Sequence, residues 1–392
     1  MIPRDIENEL NRCRQEYPVI TITGPRQSGK TTLARAAFRE LPYVSFEDPL
    51  QRDYFNTDPR GFFLPYQNGA VFDEVQHVPR LASHLQVWVD EHLQPGRFVL
   101  TGSRHFGLTE QVTQSLAGRT AILELFPFNL RELKRGTFIP TDMNRVLWAG
   151  GYPPVHDRQL RPERWYVDYL ATYVQRDLRQ ISQIQNLDSF IRFIRICAGQ
   201  VGQLLNTARL GNEIGVDHKT IRKWLSVLQT SYIINLLEPY HRNFRKRIVK
   251  APKLYFYDTG LVCSLLGIRS PEQLMAHPLR GEIFENWVYS ELAKELANRG
   301  QPPRFYFWRT HGGQEVDFLI EQGTRLWAIE TKSGMTVHPE MVKKLQNAVS
   351  SWEHEGVPTS IIYGGNEKRQ ILDCQIVPWN EFDKFLDEMF ER

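Results

Sequence analysis

Cysteine and long apolar runs are both scarce in this sequence. Its 392 residues include four cysteines, none of them in a C-x-x-C pair, which argues against a zinc site built from neighbouring cysteines and predicts free thiols in a reducing compartment. No apolar run approaches the roughly 20 residues that cross a bilayer. The charged N-terminus, with Arg4, Asp5, Glu7 and Glu9, is unlike a signal peptide. We therefore expect a cytoplasmic protein with no membrane segment.

A strong excess of one charge is also missing, because the net charge is only +3. Any affinity for nucleic acid must then come from local basic patches. The hydrophobic content of 41% and the charged content of 24% are typical of soluble globular proteins. A chain of this length is expected to form about two to four domains.

The clearest motif lies between an apolar strand at 19–22 and a helical segment at 33–41. Here the chain reads GPRQSGKT, which fits the glycine-rich pattern G-x-x-x-x-G-K-T. Such a loop points backbone N–H groups at phosphates, while its lysine reaches the β- and γ-phosphates and its threonine ligates Mg²⁺. The alternative is a purely structural turn. We predict that ATP and Mg²⁺ are bound by Gly24, Pro25, Arg26, Gln27, Ser28, Gly29, Lys30, Thr31 and Thr32.

Two later apolar strands end in polar residues that would complete this site. The first ends at Asp73 and Glu74, where Asp73 would hold Mg²⁺ through its water shell and Glu74 would act as the general base on the attacking water. The second ends near Thr101 and Ser103, which could sense the γ-phosphate or the water. Each pattern also has a purely structural alternative. The first would be a buried strand followed by a solvated acidic turn, and the second would be an ordinary transition from strand to turn.

The order of the segments GPRQSGKT, VFDEVQ, LTGS, LAGRT and LFPFNLRE resembles the AAA-type ATPase core of a large, mostly uncharacterised prokaryotic family of fused ATPases. Gln76 also matches that family. The resemblance implies a homo-oligomer in which an arginine from a neighbouring subunit completes the catalytic site. The candidates are Arg104, Arg119, Arg176 and Arg179, of which we favour Arg119 and Arg176. The alternative for each arginine is an ordinary surface ion pair. The sequence does not show whether such an arginine would act on the nucleotide site of its own chain or on that of a neighbouring chain.

The middle of the chain has the spacing of a helix-turn-helix. In residues 204–228, Gly215 would form the turn and Asp217 would cap the second helix. Two strands around a basic tip follow at 233–257. From 203 to 253 there are ten Lys and Arg against three acids, a local charge of +7, which is typical of a surface that contacts DNA phosphates. The alternative is a packing or subunit-contact module. The predicted DNA-binding residues are Lys219, Arg222, Lys223, Arg242, Arg245, Lys246 and Arg247.

Near the C-terminus, Asp317, Glu330 and Lys332 follow the pattern D-x12-E-x-K. This pattern resembles the core of restriction-endonuclease-like folds, PD-(D/E)XK. The resemblance implies that the two carboxylates hold Mg²⁺ at a scissile phosphate and that the lysine positions water. Glu285, on the preceding helix, matches an additional acid that many members carry. The alternative is that these acids lie on the exposed faces of strands in a half-buried sheet.

The sequence therefore predicts an α/β chain with four parts. These are an AAA-type P-loop ATPase core at 1–140, a helical lid at 141–200, a winged helix-turn-helix at 201–275 and a restriction-endonuclease-like domain at 276–392. The function that we expect is an oligomeric, Mg²⁺-dependent ATPase acting on DNA. One alternative is a nucleotide-controlled protein-interaction switch in signalling or defence. Another is a nuclease in which nucleotide binding only regulates assembly.

Overall fold

The computed structural model describes residues 2–92, 94–103, 115–136, 141–173, 186–240, 250–323, 325–350, 352 and 356–391. The chain divides into two compact units. The first comprises Met1–Phe128, Thr230–Tyr232 and Lys294–Pro302, and the second comprises Asn129–Gln229, Ile233–Ala293 and Pro303–Arg392. In the part of the chain that is described, no helix is long and apolar enough to cross a membrane.

The first unit is built on five short strands with helices between them. The strands are β1 Val19–Thr23, β2 Tyr43–Ser45, β3 Ala70–Asp73, β4 Phe98–Thr101 and β5 Thr120–Glu124. The helices are α1 Glu7–Glu16, α2 Lys30–Ala37, α3 Pro49–Thr57, α4 Pro59–Phe63 and α5 Leu81–Glu91. The strands form one sheet in the order β2-β3-β4-β1-β5, with every pair parallel. The carboxyl ends of all five strands therefore lie at the same edge, where such sheets bind ligands.

Both faces of this sheet are covered, as a parallel sheet requires. Alternate residues of a strand point to opposite faces. In β4, Phe98 packs into one core cluster and Val99 into the other. The first cluster is rich in aromatic rings from α3 and α4, and Phe72 of β3 stacks on Phe98 with ring centroids 6.1 Å apart. The buried sheet gives the loops at its carboxyl edge a rigid support.

The second unit begins with a helical part. Its helices are α6 Leu130–Arg135, α7 Met143–Ala149, α8 Pro153–Asp157, α9 Pro162–Tyr173, α10 Leu187–Gly199, α11 Thr207–Ile214, α12 His218–Thr230, α13 Thr259–Leu265 and α14 Pro271–Met275. Between α12 and α13, β6 Ile234–Leu237 pairs antiparallel with β7 Lys253–Phe256.

Buried Asp258 connects three segments of this helical part. Its carboxylate caps α13 by accepting the Leu261 N–H at 3.0 Å, and it also accepts the Gly151 N–H at 2.7 Å and the Tyr166 hydroxyl at 2.7 Å. Gly150 has φ +64°, and a Cβ there would lie 2.4 Å from the Asp258 carboxylate. Gly150 is therefore needed for close packing as well as for ending α7.

The second unit ends with a mixed six-stranded sheet and three helices. These elements are α15 Arg280–Asn298, β8 Phe305–Arg309, β9 Glu315–Gln322, β10 Arg325–Lys332, α16 Pro339–Val349, β11 Thr359–Tyr363, β12 Arg369–Ile371, β13 Cys374–Pro378 and α17 Phe382–Phe390. The order is β12-β13-β11-β10-β9-β8. The strand β10 runs antiparallel to β9 and parallel to β11. Asp317 lies on β9, and Glu330 and Lys332 lie on β10.

Candidate functional site

The glycine-rich loop connects β1 to α2 at the carboxyl edge of the parallel sheet. Gly24 has φ +140°, and a Cβ there would lie 2.2 Å from the Leu125 carbonyl oxygen. Gly29 has φ +97° and directly precedes α2. Residues other than glycine rarely adopt such φ values, and at position 24 their Cβ would also clash with Leu125. The loop conformation therefore explains both glycines of the motif.

Lys30 and Thr31 open α2 with their side chains in the loop region. The Lys30 ammonium is buried and donates to the carbonyls of Gly24 at 3.1 Å and Pro25 at 2.7 Å. The Thr31 hydroxyl donates to the Asp73 carboxylate, 2.9 Å from Oδ1. The buried Ser28 hydroxyl has no hydrogen-bond partner among the described residues. The loop thus holds one cation and one unpaired polar atom, which fit a bound phosphate group.

Asp73 is buried at the end of β3 and is surrounded by hydroxyl groups. Besides Thr31, it accepts Thr101 at Oδ1 and Tyr43 at Oδ2, at 2.7 Å. Burial, followed by the hydrogen bond and charge of Asp73, raises the pKa of the Tyr43 hydroxyl. Hydroxyl and carboxylate oxygens are the ligands that Mg²⁺ prefers. Thr31 and Asp73 therefore fit the role of holding Mg²⁺, directly or through its water shell.

Glu74 follows in a left-handed backbone conformation with φ +56°. Its N–H donates to the Thr101 hydroxyl at 3.3 Å. The Gln76 amide nitrogen donates to the Glu74 carboxylate and lies 3.4 Å from the Ser103 hydroxyl. Such positive φ values in non-glycine residues are strained and cluster at functional sites. The result is a carboxylate held in place by an amide, which suits a general base that orients water.

Arg119 lies at the opposite edge of the sheet from this site. The Val19 N–H at the start of β1 donates to the Arg119 carbonyl at 3.2 Å, whereas the glycine-rich loop follows the end of that strand. The guanidinium pairs with Asp90, with a second hydrogen bond of 3.0 Å. Arg119 therefore does not act on the loop of its own chain, and its role stays a prediction for a neighbouring copy only. The other candidates, Arg104, Arg176 and Arg179, lie outside the described residues.

The structure adds two contacts to the loop region that the sequence did not indicate. Buried Arg4 donates to the Ser28 carbonyl at 2.8 Å and to the Phe126 carbonyl at 2.5 Å. The Tyr232 hydroxyl donates to Thr23, just before the loop, at 3.0 Å. Both residues are far from the motif in the chain and match no pattern around it. Only the fold reveals that they support the loop.

The helix-turn-helix segment has the local features that the sequence predicted. Gly215 ends α11 with φ +84°, and the Asp217 carboxylate accepts the N–H groups of Lys219 and Thr220 at the start of α12. Trp224 is buried on this helix against the rings of α10. On the opposite side, Lys219, Arg222 and Lys223 are exposed. The remaining predicted DNA-binding residues, Arg242, Arg245, Lys246 and Arg247, lie outside the described residues.

The predicted acids of the C-terminal sheet come together around the neighbouring strands β9 and β10. Phe318 pairs with Ile329, which places Asp317 and Glu330 side by side. The Asp317 carboxylate accepts both the N–H and the hydroxyl of Thr331 at 2.8 Å. The Lys332 ammonium donates to Glu330 at 2.7 Å. Burial and the charge of Asp317 raise the pKa of Glu330.

Lys253, the first residue of β7, also belongs to this group. Its ammonium lies 2.8 Å from Glu285, 2.6 Å from Glu315 and 3.9 Å from Asp317. Burial disfavours the charged form, yet Tyr255 and the carboxylates outweigh it and raise the pKa of Lys253 well above its usual value. We call Lys253, Glu285, Glu315, Asp317, Glu330 and Lys332 the carboxylate cluster.

The ten Lys and Arg between 203 and 253 include Lys253, but this residue does not belong to a basic surface, because its side chain is only 3% exposed. All members of the cluster except Lys332 also line a cavity of about 510 Å³. No group of three or more His, Cys, Asp and Glu side chains within the described residues is arranged to hold a metal ion. The Lys253 ammonium already pairs with the carboxylates of Glu285 and Glu315 within the chain.

Comparison with known proteins agrees with the position of the nucleotide site. A family model described as an AAA domain matches residues 16–134. Two models described as domains of unknown function match residues 140–272 and 280–382. The AAA match includes the glycine-rich loop, Asp73 and Glu74.

Relatives match over nearly the whole chain. An uncharacterised protein of Mycobacterium tuberculosis is 30% identical over 377 residues, which is 95% of this chain and 82% of that protein. A protein of Mycobacterium bovis matches to the same extent. An uncharacterised protein of Methanocaldococcus jannaschii is 24% identical over 406 residues, covering 94% and 86%. Among solved structures, a Walker-type ATPase of Pyrococcus abyssi has a TM-score of 0.46 at 14% identity, covering 68% of this chain and 96% of that one.

Proposed function

We propose that this chain, which belongs to the same family as the two mycobacterial proteins and contains an AAA-type P-loop ATPase domain, is an Mg²⁺-dependent ATPase that acts on DNA. ATP would bind at the glycine-rich loop, with Lys30 at its phosphates. Thr31 and Asp73 would hold Mg²⁺, which supplies charge stabilisation at the phosphates. Glu74 would orient and deprotonate the attacking water.

One observation carries the ATPase proposal. Thr31 and Asp73 are in contact at 2.9 Å, beside a buried lysine and next to a carboxylate that Gln76 holds in place. Hydrolysis needs an oriented water as well as bound phosphates. The N–H of Glu74 donates to the Thr101 hydroxyl, which itself donates to the Asp73 carboxylate, so the two residues are linked. A loop that only binds nucleotide would not need this second, amide-held acid.

The test is phosphate release measured beside nucleotide binding. Glu74→Gln should lower kcat by about 10²–10⁴ because it removes a general base, while a fluorescent ATP analogue still binds. Lys30→Met should lose binding as well. Glu91→Gln, an exposed acid on α5, is the matched control and should keep the wild-type rate. Hydrolysis by Glu74→Gln at the wild-type rate would reject Glu74 as the base.

The DNA part of the proposal is supported by the exposed side of α12. Lys219, Arg222 and Lys223 are exposed there, while the other side packs through Trp224. A helix that presents three cations at this spacing suits contacts with the phosphate backbone. We also propose that the C-terminal sheet has a restriction-endonuclease-like fold, since Asp317 and Glu330 lie on neighbouring antiparallel strands.

Removing the three cations of α12 tests the DNA role. Replacing Lys219, Arg222 and Lys223 by alanine should weaken duplex binding at least about tenfold and lower the salt slope by up to about 0.9 per lost phosphate contact. A second triple variant, Arg12, Arg39 and Lys343 to alanine, removes the same charge from exposed positions elsewhere and should bind normally. If neither single-stranded nor duplex DNA binds or changes ATP hydrolysis, the protein-interaction switch becomes the better hypothesis.

A further inference from the structure

Lys253 is a buried charged residue, and an isolated charge at a buried position would destabilise the fold. Its side chain is 3% exposed, and moving an ammonium out of water is costly unless paired groups compensate. The compensation comes from elements distant in sequence, Glu285 on α15 and Glu315 and Asp317 on β9. The ammonium also lies 5.6 Å from the centre of the Phe307 ring. Several separate elements thus converge on this one cation.

The carboxylates that the nuclease-like motif needs are also engaged by the chain itself. One Asp317 oxygen accepts two hydrogen bonds from Thr331, and the other lies 3.9 Å from the Lys253 ammonium. Glu330 accepts Lys332. A divalent ion bound between these acids would need several of their oxygens at about 2.0–2.6 Å. It would also have to approach the Lys253 ammonium, which carries charge of the same sign.

We propose that the Lys253 ammonium takes the place of a divalent ion in the carboxylate cluster, so that the wild-type chain binds neither Mg²⁺ nor Mn²⁺ there. The restriction-endonuclease-like region is then held together by an internal cation, and it is not a metal-dependent nuclease. The cation comes from β7, the second of the two strands that follow the helix-turn-helix segment. Only removal of Lys253 gives a divalent ion access to the acids.

Mn²⁺ is the probe, because its binding is counted directly by electron paramagnetic resonance. The full-length chain is measured without nucleotide. Wild type should bind no ion that depends on Asp317. Lys253→Met should gain about one bound Mn²⁺ per chain, and Mn²⁺ should raise its melting temperature by about 5 °C. Adding Asp317→Asn to Lys253→Met should abolish both effects, and Lys253→Arg, which keeps a cation, should show neither.

Each outcome decides the proposal. Mn²⁺ binding by wild type that is lost in Asp317→Asn overturns it, and this arm does not depend on the folding of any Lys253 variant. Failure of a folded Lys253→Met chain to gain an ion also overturns it. Circular dichroism checks folding, and Lys253→Gln, which keeps hydrogen-bonding capacity without the charge, replaces Lys253→Met if that variant is unfolded both with and without Mn²⁺.

Discussion

The nucleotide site and the carboxylate cluster both place buried acids on strands, but they treat the negative charge differently. Around Asp73, hydroxyl groups of Thr31, Tyr43 and Thr101 donate hydrogen bonds. In the cluster, hydroxyl groups also donate to Asp317 and Glu285, but the Lys253 ammonium is added beside Glu285 and Glu315. Hydroxyl groups orient a carboxylate without neutralising it, whereas an ammonium does both. The first arrangement leaves a charge for a metal ion, and the second supplies the cation from within the chain.

The two regions also differ in how the sequence encodes them. The glycine-rich loop and its lysine and threonine occupy eight consecutive residues, 24–31, so the sequence shows them as one motif even though Arg4 and Tyr232 also support the loop. The cluster gathers residues from 253, 285, 315–317 and 330–332. Its charge balance is therefore a property of the tertiary fold. A motif that covers only Asp317, Glu330 and Lys332 omits the residue that decides the chemistry.

The largest effect is expected from removing the internal cation. In a buffer that contains a metal chelator, at a pH near 7, Lys253→Met should lower the free energy of unfolding by about 3–5 kcal/mol. The reason is that the buried carboxylates lose the ammonium with which they pair. Urea denaturation measures the change. Lys343→Met, at an exposed position of α16, should change stability by less than about 0.5 kcal/mol. A loss below about 1 kcal/mol for Lys253→Met would show that the ammonium is not what balances the cluster.

A smaller effect is expected in the pH dependence of stability. Burial and the carboxylate of Asp317 raise the pKa of Glu285 from 4.5 to about 7. An acid whose pKa is raised by folding binds its proton more tightly in the folded state, so its stabilising contribution is complete below pH 4.5 and is lost as the pH rises through about 7. Glu285→Gln should remove this decline, which amounts to at most about 1.4 kcal/mol per pH unit.

The measurement is the free energy of unfolding from urea titrations at several pH values between 4.5 and 8. Glu340→Gln, an exposed acid at the start of α16, is the control and should leave the wild-type slope unchanged. An identical slope in Glu285→Gln and wild type would mean that Glu285 titrates alike in the folded and unfolded chains.

Much of the fold could be predicted from sequence because its signals are local. The apolar strand before the glycine-rich loop became β1, and Gly215 and Asp217 stand at the turn and helix cap where turn and capping chemistry place them. Lys253 could not be placed in this way. Its charge suggested an exposed side chain. However, residues two apart in a strand lie on the same face, and Tyr255 of β7 is buried, so the position of Lys253 in the strand indicated an inward side chain.

Tyr43 was missed for a different reason. It precedes Asp73 by 30 residues, and the two side chains approach only because β2 pairs parallel with β3. Nothing in the sequence around this tyrosine indicates that its hydroxyl will contact a carboxylate of the catalytic site. The Arg35 guanidinium lies 4.8 Å from the centre of the Tyr43 ring, and the residue is 36% exposed, as an ordinary surface aromatic can be.

The smallest effect is expected from Tyr43→Phe, which removes one of the neutral donors to Asp73. Losing a hydrogen bond of about 1 kcal/mol should raise the Mg²⁺ concentration that half-saturates ATP hydrolysis about fivefold, because Asp73 becomes less well oriented. Stability should change little. Tyr54→Phe, a partly exposed tyrosine on α3, is the control and should match wild type. If Tyr43→Phe instead destabilised the chain as strongly as Lys253→Met, the hydroxyl groups around Asp73 would be structural partners of the acid, and the contrast between the two regions would disappear.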